Sequence, residues 1–351
     1  MASTVRTKAH PTIHEFDLIR ALHRRHGRHT PSVIQGIGDD AAIIMSRAGQ
    51  WTVLTTDLLT EGIHFDLRTA TMADIGFRAA ASNLSDIAAM GGTPQYLLVS
   101  LAIPRTGTSR HVHQLYRGMM AACRTHHVGL IGGDTSASNS GWFLSVALIG
   151  VVPSRQALFR NGAQIGDLLY VTGTIGDALA GLRLLNEPPP RTKRYPWTAA
   201  LSTRHRQFLI GRHLRPTARV AEGQWLNTHR FATSAIDISD GLSGDLRHIC
   251  EESHVGADLD LTALPLSPAC RAFAASRELD PVDLALTGGE DYELLFTVPP
   301  RQRTRLEQAA VEQGFSLTCI GKIRPLRFGM QTVSSRGQRH RLINTSYEHF
   351  T

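Results

Sequence analysis

The chain has 351 residues, 42% apolar and 19% charged, with a formal charge of +7. At roughly 150 residues per domain this is enough for two domains with sizeable cores, and the composition excludes wholesale disorder. No run approaches the ~18 consecutive apolar residues of a membrane-spanning helix. Met1 to Thr12 lacks the apolar stretch of a secretory signal, so the expectation is a cytoplasmic protein that spans no membrane. The excess of 37 Lys+Arg over 30 Asp+Glu admits a partner or substrate with negative charge. It is concentrated in His23 to His26, Arg191 to Arg215 and Arg336 to Arg341, each read as solvated surface. Cys123, Cys250, Cys270 and Cys319 form no C-x-x-C pair and read as ordinary semi-buried thiols, not ligands or nucleophiles.

In chain order, Trp51 to Leu59 alternates as a strand, and the alanine-rich Met72 to Met90 reads as a helix stopped by Gly91-Gly92. Leu97 to Ile103 and Phe143 to Val152 are strands closed by proline. Between them lie a helix, His111 to Thr125, a short apolar run, Val128 to Ile131, and a turn at Gly132-Gly133-Asp134. Pro153 to Gly166 reads as a linker. A second unit then runs through strand Leu168 to Thr172, helix Asp177 to Leu185, strand Ser234 to Ile238, helix Ser243 to Ser253, strand Tyr292 to Val298 and helix Arg301 to Gln313. Asn186 to Tyr195, with three consecutive prolines, reads as an exposed loop with basic flanks. Met330 to Ile343 reads as a hairpin turning at Arg336-Gly337. The fold class expected is α/β: α+β-type layers in two α/β domains, 1–153 and 154–351.

Five segments share one grammar, in which an apolar run ends in small residues and acids: Gly36-Ile-Gly-Asp-Asp40, Thr55-Thr-Asp57, Gly132-Gly-Asp-Thr135, Asp237-Ile-Ser-Asp-Gly241 and Gly288-Gly-Glu-Asp291. Asn83-Leu-Ser-Asp86 adds a sixth inside the alanine-rich helix, with Asn83 and Asp86 on one helix face. Any one such Asp is explained by a helix cap or a turn. Six of them argue for more, because clustered carboxylates repel one another and raise their pKa values unless cations neutralise them. Hard divalent cations with carboxylate, hydroxyl and water ligands do that, and magnesium characteristically couples carboxylates to substrate phosphates. Gly132-Gly133 and Gly288-Gly289 would let backbone N–H groups approach phosphate oxygens. Gly36 to Ala41 matches a dinucleotide-binding pattern superficially, but no clear strand precedes it. The G-x-x-x-x-G-K-[ST] loop and the protein-kinase signatures are absent from the sequence.

Taken in order, Gly36-Ile-Gly-Asp-Asp40, Thr55-Thr-Asp57, Gly62-Ile-His-Phe65, Asn83-Leu-Ser-Asp-Ile-Ala-Ala-Met-Gly-Gly92, Gly132-Gly-Asp-Thr135, Asp237-Ile-Ser-Asp-Gly-Leu242 and Gly288-Gly-Glu-Asp-Tyr-Glu-Leu294 resemble the thiamine-monophosphate kinase family. That family belongs to the superfamily of aminoimidazole-ribonucleotide and selenophosphate synthetases. The resemblance runs from about Glu15 to Phe350. It implies ATP-dependent phosphorylation of thiamine monophosphate to thiamine diphosphate, and a homodimer in which N-terminal strands build a shared barrel. It implies several Mg²⁺ ions among Asp40, Thr55, Thr56, Asp57, Asp86, Asp134, Asp237 and Asp240. ATP is expected on Tyr116, Gly133, Asp134, Arg160 and Ser239, and the phosphoryl acceptor on His64, Glu290 and Tyr347. No protein nucleophile is expected, since phosphoryl transfer between phosphates is positioning and charge neutralisation. Within the superfamily, a selenophosphate synthetase would place a reactive cysteine near its N-terminus, whereas the first here is Cys123. A nucleic-acid binder would interleave aromatics with its basic clusters, yet aromatics are 6%. No nucleic-acid partner is expected.

Overall fold

The computed structural model describes residues 32–36, 38–187 and 201–342. The first half builds a mixed sheet from β1 (Val33–Gln35), β2 (Ala42–Arg47), β3 (Gln50–Thr60), β4 (Thr93–Pro104), β5 (Gly129–Ser138) and β6 (Phe143–Pro153), with α1 (Met72–Ala89) after β3 and α2 (Ser109–Arg124) after β4. Its strand order is β1-β2-β3-β6-β4-β5, antiparallel except where β4 and β5 run parallel. The second half opens with β7 (Leu168–Thr172), α3 (Asp177–Asn186), α4 (Thr203–Leu214), α5 (Val220–Thr228) and β8 (Ser234–Asp237). It continues through α6 (Leu242–Glu252), β9 (Val255–Asp260), α7 (Pro268–Ser276), α8 (Pro281–Thr287) and β10 (Leu294–Val298). It ends with α9 (Arg303–Gln313), β11 (Leu317–Pro325), β12 (Met330–Val333) and β13 (Arg339–Arg341). The second sheet has the order β13-β12-β9-β11-β7-β10-β8. The β12–β13 hairpin turns at Gly337, as expected.

Helix α1 is the pivot. Thr71 and Asp74 form a capping box at its start, and Gly91, at φ +67°, ends it. Fifteen of its eighteen residues are buried, the signature of a helix covered on nearly all sides. It packs so closely on α2 that a Cβ at Gly76 would collide with the carbonyl of Leu115, and one at Gly118 with that of Ala73. The largest apolar core runs from α1 residues such as Ile75, Leu84 and Ile87 into the second half at Tyr170, Ala235, Phe296 and Leu306. The two sheets therefore share a core around α1. Among the described residues no helix is long and apolar enough to cross a membrane.

Three expectations need correction. Gly132-Gly133-Asp134 is not a turn but the middle of β5, paired in parallel with Leu98 to Ser100. A one-residue slip after Leu97 accommodates Ile131, and Gly133 is needed because a Cβ there would strike the Val99 carbonyl oxygen. A strand, β1, does precede Gly36, but β2 and not a helix follows, so no dinucleotide-binding turn forms. The basic run to Arg215 is not all solvated surface: α4 carries Arg212 and His213 into the interior. Pro153 ends β6, and the stretch from Ser154 to Gly166 lacks regular structure but is tied down by Leu158 N–H donating to the Met90 carbonyl (3.1 Å). The expected loop from Asn186 and the His23 to His26 cluster fall largely outside the described residues.

Candidate active site

Strand ends and one helix face deliver the acids to a common place. Thr55, Thr56 and Asp57 belong to β3, Asp237 ends β8, and Asp40 precedes β2. On α1, Arg78, Ser82 and Asp86 recur at four-residue spacing and line one wall of a cavity of about 710 Å³. Thr56, Asp57, Asp237, Ser239, Asp240, His64 and Glu290 also line it.

Carboxylate oxygens of Asp40, Asp86 and Asp237 lie within 4.8 Å of one another. The Thr55 hydroxyl donates to Asp86 Oδ2, and the Ser85 hydroxyl to Asp237 Oδ2 at 2.6 Å. Burial, and then the neighbouring charges of Asp57, Asp237 and Asp40, push the Asp86 carboxyl well above the usual range. Burial followed by Asp40 does the same to Asp237, and burial raises Asp57. Arg160 is the local counter-charge: its Nη2 stands 2.6 Å from Asp40 Oδ1, and its Nε is 3.8 Å from Asp39 Oδ1. Asp39, buried and facing Asp40, is nonetheless raised to about 7. Asp40 Oδ2 is buried without a hydrogen-bond donor among the described residues. Hard oxygen donors in excess of their counter-charge, one of them orphaned, fit a divalent cation.

The other end of the cavity has a different character. Glu290 Oε2 lies 3.2 Å from Arg78 Nη1 and 3.2 Å from His213 Nδ1, and Arg78 also donates to the His64 carbonyl. Desolvation pushes the Glu290 carboxyl up, but Arg78 and His213 outweigh it and hold the group below its ordinary value. Glu290 and Tyr292 both adopt left-handed backbone, at φ +63° and +52°, which is strained for residues with side chains. Their neighbours in the same motif serve the scaffold instead. Asp291 accepts from the N–H groups of Gly176 (2.5 Å) and Ala178 (3.0 Å) at the start of α3. Glu293 holds Arg219 bidentately, at 2.5 and 2.6 Å, and also Arg212 at 2.8 Å.

Of the anticipated site residues, Asp40, Asp57, Asp86, Asp237, Thr55 and Arg160 converge on the acidic cluster, and Thr56, Ser239, Asp240, His64 and Glu290 on the same cavity. Gly133 and Asp134 do not: they sit exposed on β5, in the row Asp57, Val146, Val99, Gly133 that crosses three strand intervals, about 14 Å at the usual spacing. Tyr116 is half-buried on α2 against the main core, away from the cavity lining. Tyr347 lies outside the described residues. Asn83 turns its amide to the Ala79 carbonyl (3.0 Å). The residues not anticipated are Arg78, His213, Ser85, Asp39 and Asp245. The last is buried among the charges of Asp240 and Asp237. Arg78 had a visible signal, as the lone basic residue in an alanine-rich helix; His213 had none within its basic run. The thiols of Cys123, Cys250 and Cys270 are buried and pushed to about 11 or 12 by burial, which disfavours the nucleophilic thiolate.

The family described as AIR synthase related protein, N-terminal domain, matches residues 38–152. A thiamine-monophosphate kinase of Escherichia coli is 38% identical over 312 residues, covering 88% of this chain and 90% of that protein. The solved structure of AaThiL complexed with AMPPCP and TMP superposes with a TM-score of 0.80 at 31% identity, covering 99% of this chain and 100% of the other. Thiamine-monophosphate kinase from Stenotrophomonas maltophilia superposes with a TM-score of 0.72 at 37% identity, covering 92% and 96%. With relatives this similar over nearly the whole length, the chain belongs to the thiamine-monophosphate kinase family and is an enzyme, a phosphotransferase with a phosphate group as acceptor.

Proposed function

We propose that this enzyme moves the γ-phosphoryl group of ATP directly onto the phosphate of thiamine monophosphate, in line and without a phosphoenzyme, yielding thiamine diphosphate. The observation that carries the reading is the convergence of Asp40, Asp86 and Asp237 within 4.8 Å, beside a cavity whose other end bears Glu290. The complex of AaThiL with AMPPCP and TMP supports the two ligands, since AMPPCP is ATP with a methylene bridge in place of the oxygen between its β and γ phosphorus atoms.

Asp40, Thr55, Thr56, Asp57, Asp86, Asp237 and Asp240 would hold several Mg²⁺ ions, and Asp134, three strand intervals away on β5, would need a separate ion. Magnesium bound there supplies neutralisation of the phosphate charges whose repulsion otherwise sets the barrier. The chain's own groups do the rest. Ser239 and Arg160 orient ATP phosphates, the guanidinium being suited to a bidentate grip. Gly133 brings backbone close to them and Tyr116 flanks the adenine. His64, Glu290 and Tyr347 hold the acceptor, and the cavity walls exclude water that would compete as acceptor. Domains 1–153 and 154–351 would meet at this site. Edge strand β5, exposed along almost its whole length, and the exposed Leu58, Tyr96 and Phe143 on β3, β4 and β6 support a homodimer with a shared barrel.

Phosphorus NMR of a reaction containing ATP, Mg²⁺ and thiamine monophosphate tests this. Diphosphate signals on thiamine should appear one for one with ADP, and EDTA should abolish them. ADP without the thiamine diphosphate signal, or a phosphate trapped covalently on the chain, would overturn the reading.

A further inference from the structure

A guanidinium buried inside α1 calls for an explanation. Arg78 is 4% exposed, and a charge there is tolerated only with close partners. Those partners come from three other places in the chain: Glu290 in the loop before β10, His213 on α4, and the carbonyl of His64 after β3.

The hydrogen-bond logic fixes the arrangement. Arg78 can only donate, so His213 Nε2, 3.0 Å from Arg78 Nη1, accepts. Nδ1, the remaining nitrogen, is then the one that carries a proton, and it lies 3.2 Å from Glu290 Oε2, a charge-range contact short of hydrogen-bond alignment. Arg78 Nη1 reaches the same oxygen at 3.2 Å. Among the described residues both contacts fall on Oε2, which leaves Oε1 to a ligand in the cavity. The backbone of the loop is pinned separately, by Glu290 N–H on the Ser239 carbonyl (2.8 Å) and Tyr292 N–H on that of Ile238 (2.9 Å). The loop backbone is thus held by Ile238 and Ser239, and the Glu290 side chain lies against Arg78 and His213.

We infer that Arg78 and His213 are positioning residues for the phosphoryl acceptor: they orient the Glu290 carboxylate toward the cationic ring system of thiamine monophosphate. The inference rests on the reading of Glu290 as an acceptor contact. Arg78 and Asp86 are eight residues apart on one face of α1, about 12 Å along the axis. An acceptor with a phosphate at one end and a thiazolium at the other has its negative end at the cation-seeking aspartates and its positive end near a fixed carboxylate. Because Arg78 also bonds the His64 carbonyl, it ties the two loops that frame that end.

The test is the separate KM of each substrate in Arg78→Met, Arg78→Lys, His213→Leu, His213→Asn and Glu290→Gln, with a melting curve for each. Loss of one hydrogen bond to a charged group corresponds to roughly 10- to 100-fold. Arg78→Met and His213→Leu should raise the KM for thiamine monophosphate by at least about tenfold, leaving that for ATP within about twofold. His213→Asn, whose amide N–H replaces Nδ1–H, and Arg78→Lys should recover most of the loss. Should Arg78→Met fail to fold, the lysine variant and the His213 pair decide. Equal rises in both KM values, or no rescue by His213→Asn, would mean a merely structural role and overturn the inference. An acceptor KM raised in Glu290→Gln but unchanged in the Arg78 and His213 variants would overturn it while sparing the acceptor site. An unchanged acceptor KM in Glu290→Gln would overturn the acceptor site itself.

Discussion

Replacing Asp86 by Asn should make the metal-free enzyme more stable and the metal-loaded enzyme less responsive. Oxygens of Asp40, Asp86 and Asp237 lie within 4.8 Å of each other. At an effective dielectric constant near 20, each ionised pair at that distance costs about 3.5 kcal/mol. Arg160, 2.6 Å from Asp40, offsets much of one pair, and proton uptake limits the remainder to about 1.4 kcal/mol per pH unit above the ordinary carboxylate value. Asn keeps the shape and can still accept from the Thr55 hydroxyl, so at pH 8 in EDTA the variant should gain about 2–4 kcal/mol. At roughly 1.4 °C per kcal/mol for a chain this long, its melting midpoint should rise by about 3–6 °C.

The gain should shrink at pH 5, where the cluster holds protons in the wild type. Adding Mg²⁺ and ATP should lift the wild type by about 2.7 kcal/mol at 100 times the dissociation constant, and the variant by far less. Melting curves at pH 5 and 8, in EDTA and in Mg²⁺ with ATP, give all the comparisons. A variant no more stable than wild type at pH 8 in EDTA would refute the reasoning and return Asp86 to a structural role. An equal rise with Mg²⁺ and ATP in both proteins would do the same.

The metal-free protein as a whole should lose stability as pH rises from about 4 to 7. Asp39, at about 7, and the raised Asp57, Asp86 and Asp237 keep protons that the unfolded chain has released; Mg²⁺ should flatten the slope in a urea titration. Arg160→Met should raise the KM for ATP by about tenfold or more while sparing that for the acceptor, and a deficit confined to the acceptor would remove Arg160 from the nucleotide side. Glu293→Gln strands Arg219 and Arg212 in the interior, so it should cost about 3–5 kcal/mol in chemical denaturation with or without Mg²⁺.

What was legible in the sequence is what local chemistry dictates. Helix α1 announced itself through alanine content and the glycine stop, β3 through alternation, and β6 as an apolar run closed by proline. Asp40, Asp57, Asp86 and Asp237 stood out because each ends a recognisable local pattern. The Gly132-Gly133 segment was misread as a turn since glycine pairs equally commonly mark turns; only the parallel neighbour β4 makes them a close-approach site. Helices α4 and α5 and strands β9 and β11 carried no local punctuation strong enough to show, and their formation depends on tertiary packing. In Gly288 to Leu294 the pattern marked the right place but not the division of labour. Glu290 faces the cavity while Asp291 caps α3 and Glu293 neutralises arginines, a distinction set by partners more than 70 residues away in sequence.

That division points to why the enzyme surrounds a cavity for anions with carboxylates. A basic lining would bind both phosphates strongly in the ground state, and uniform binding of that kind does not lower the barrier between them. On the proposed reading, carboxylates that need cations would make the neutralising charge conditional on metal arriving, with Arg160 shielding Asp40 until then. At the proposed acceptor end the solution would be the reverse, with the buried Arg78 guanidinium compensating Glu290 and one carboxylate oxygen left for a cation. Helix α1 carries residues of both arrangements on one face, Arg78 and Asp86. On that reading a shift of the helix would alter acceptor orientation and metal geometry together, and burial on nearly every side with backbone-close packing on α2 holds it against one.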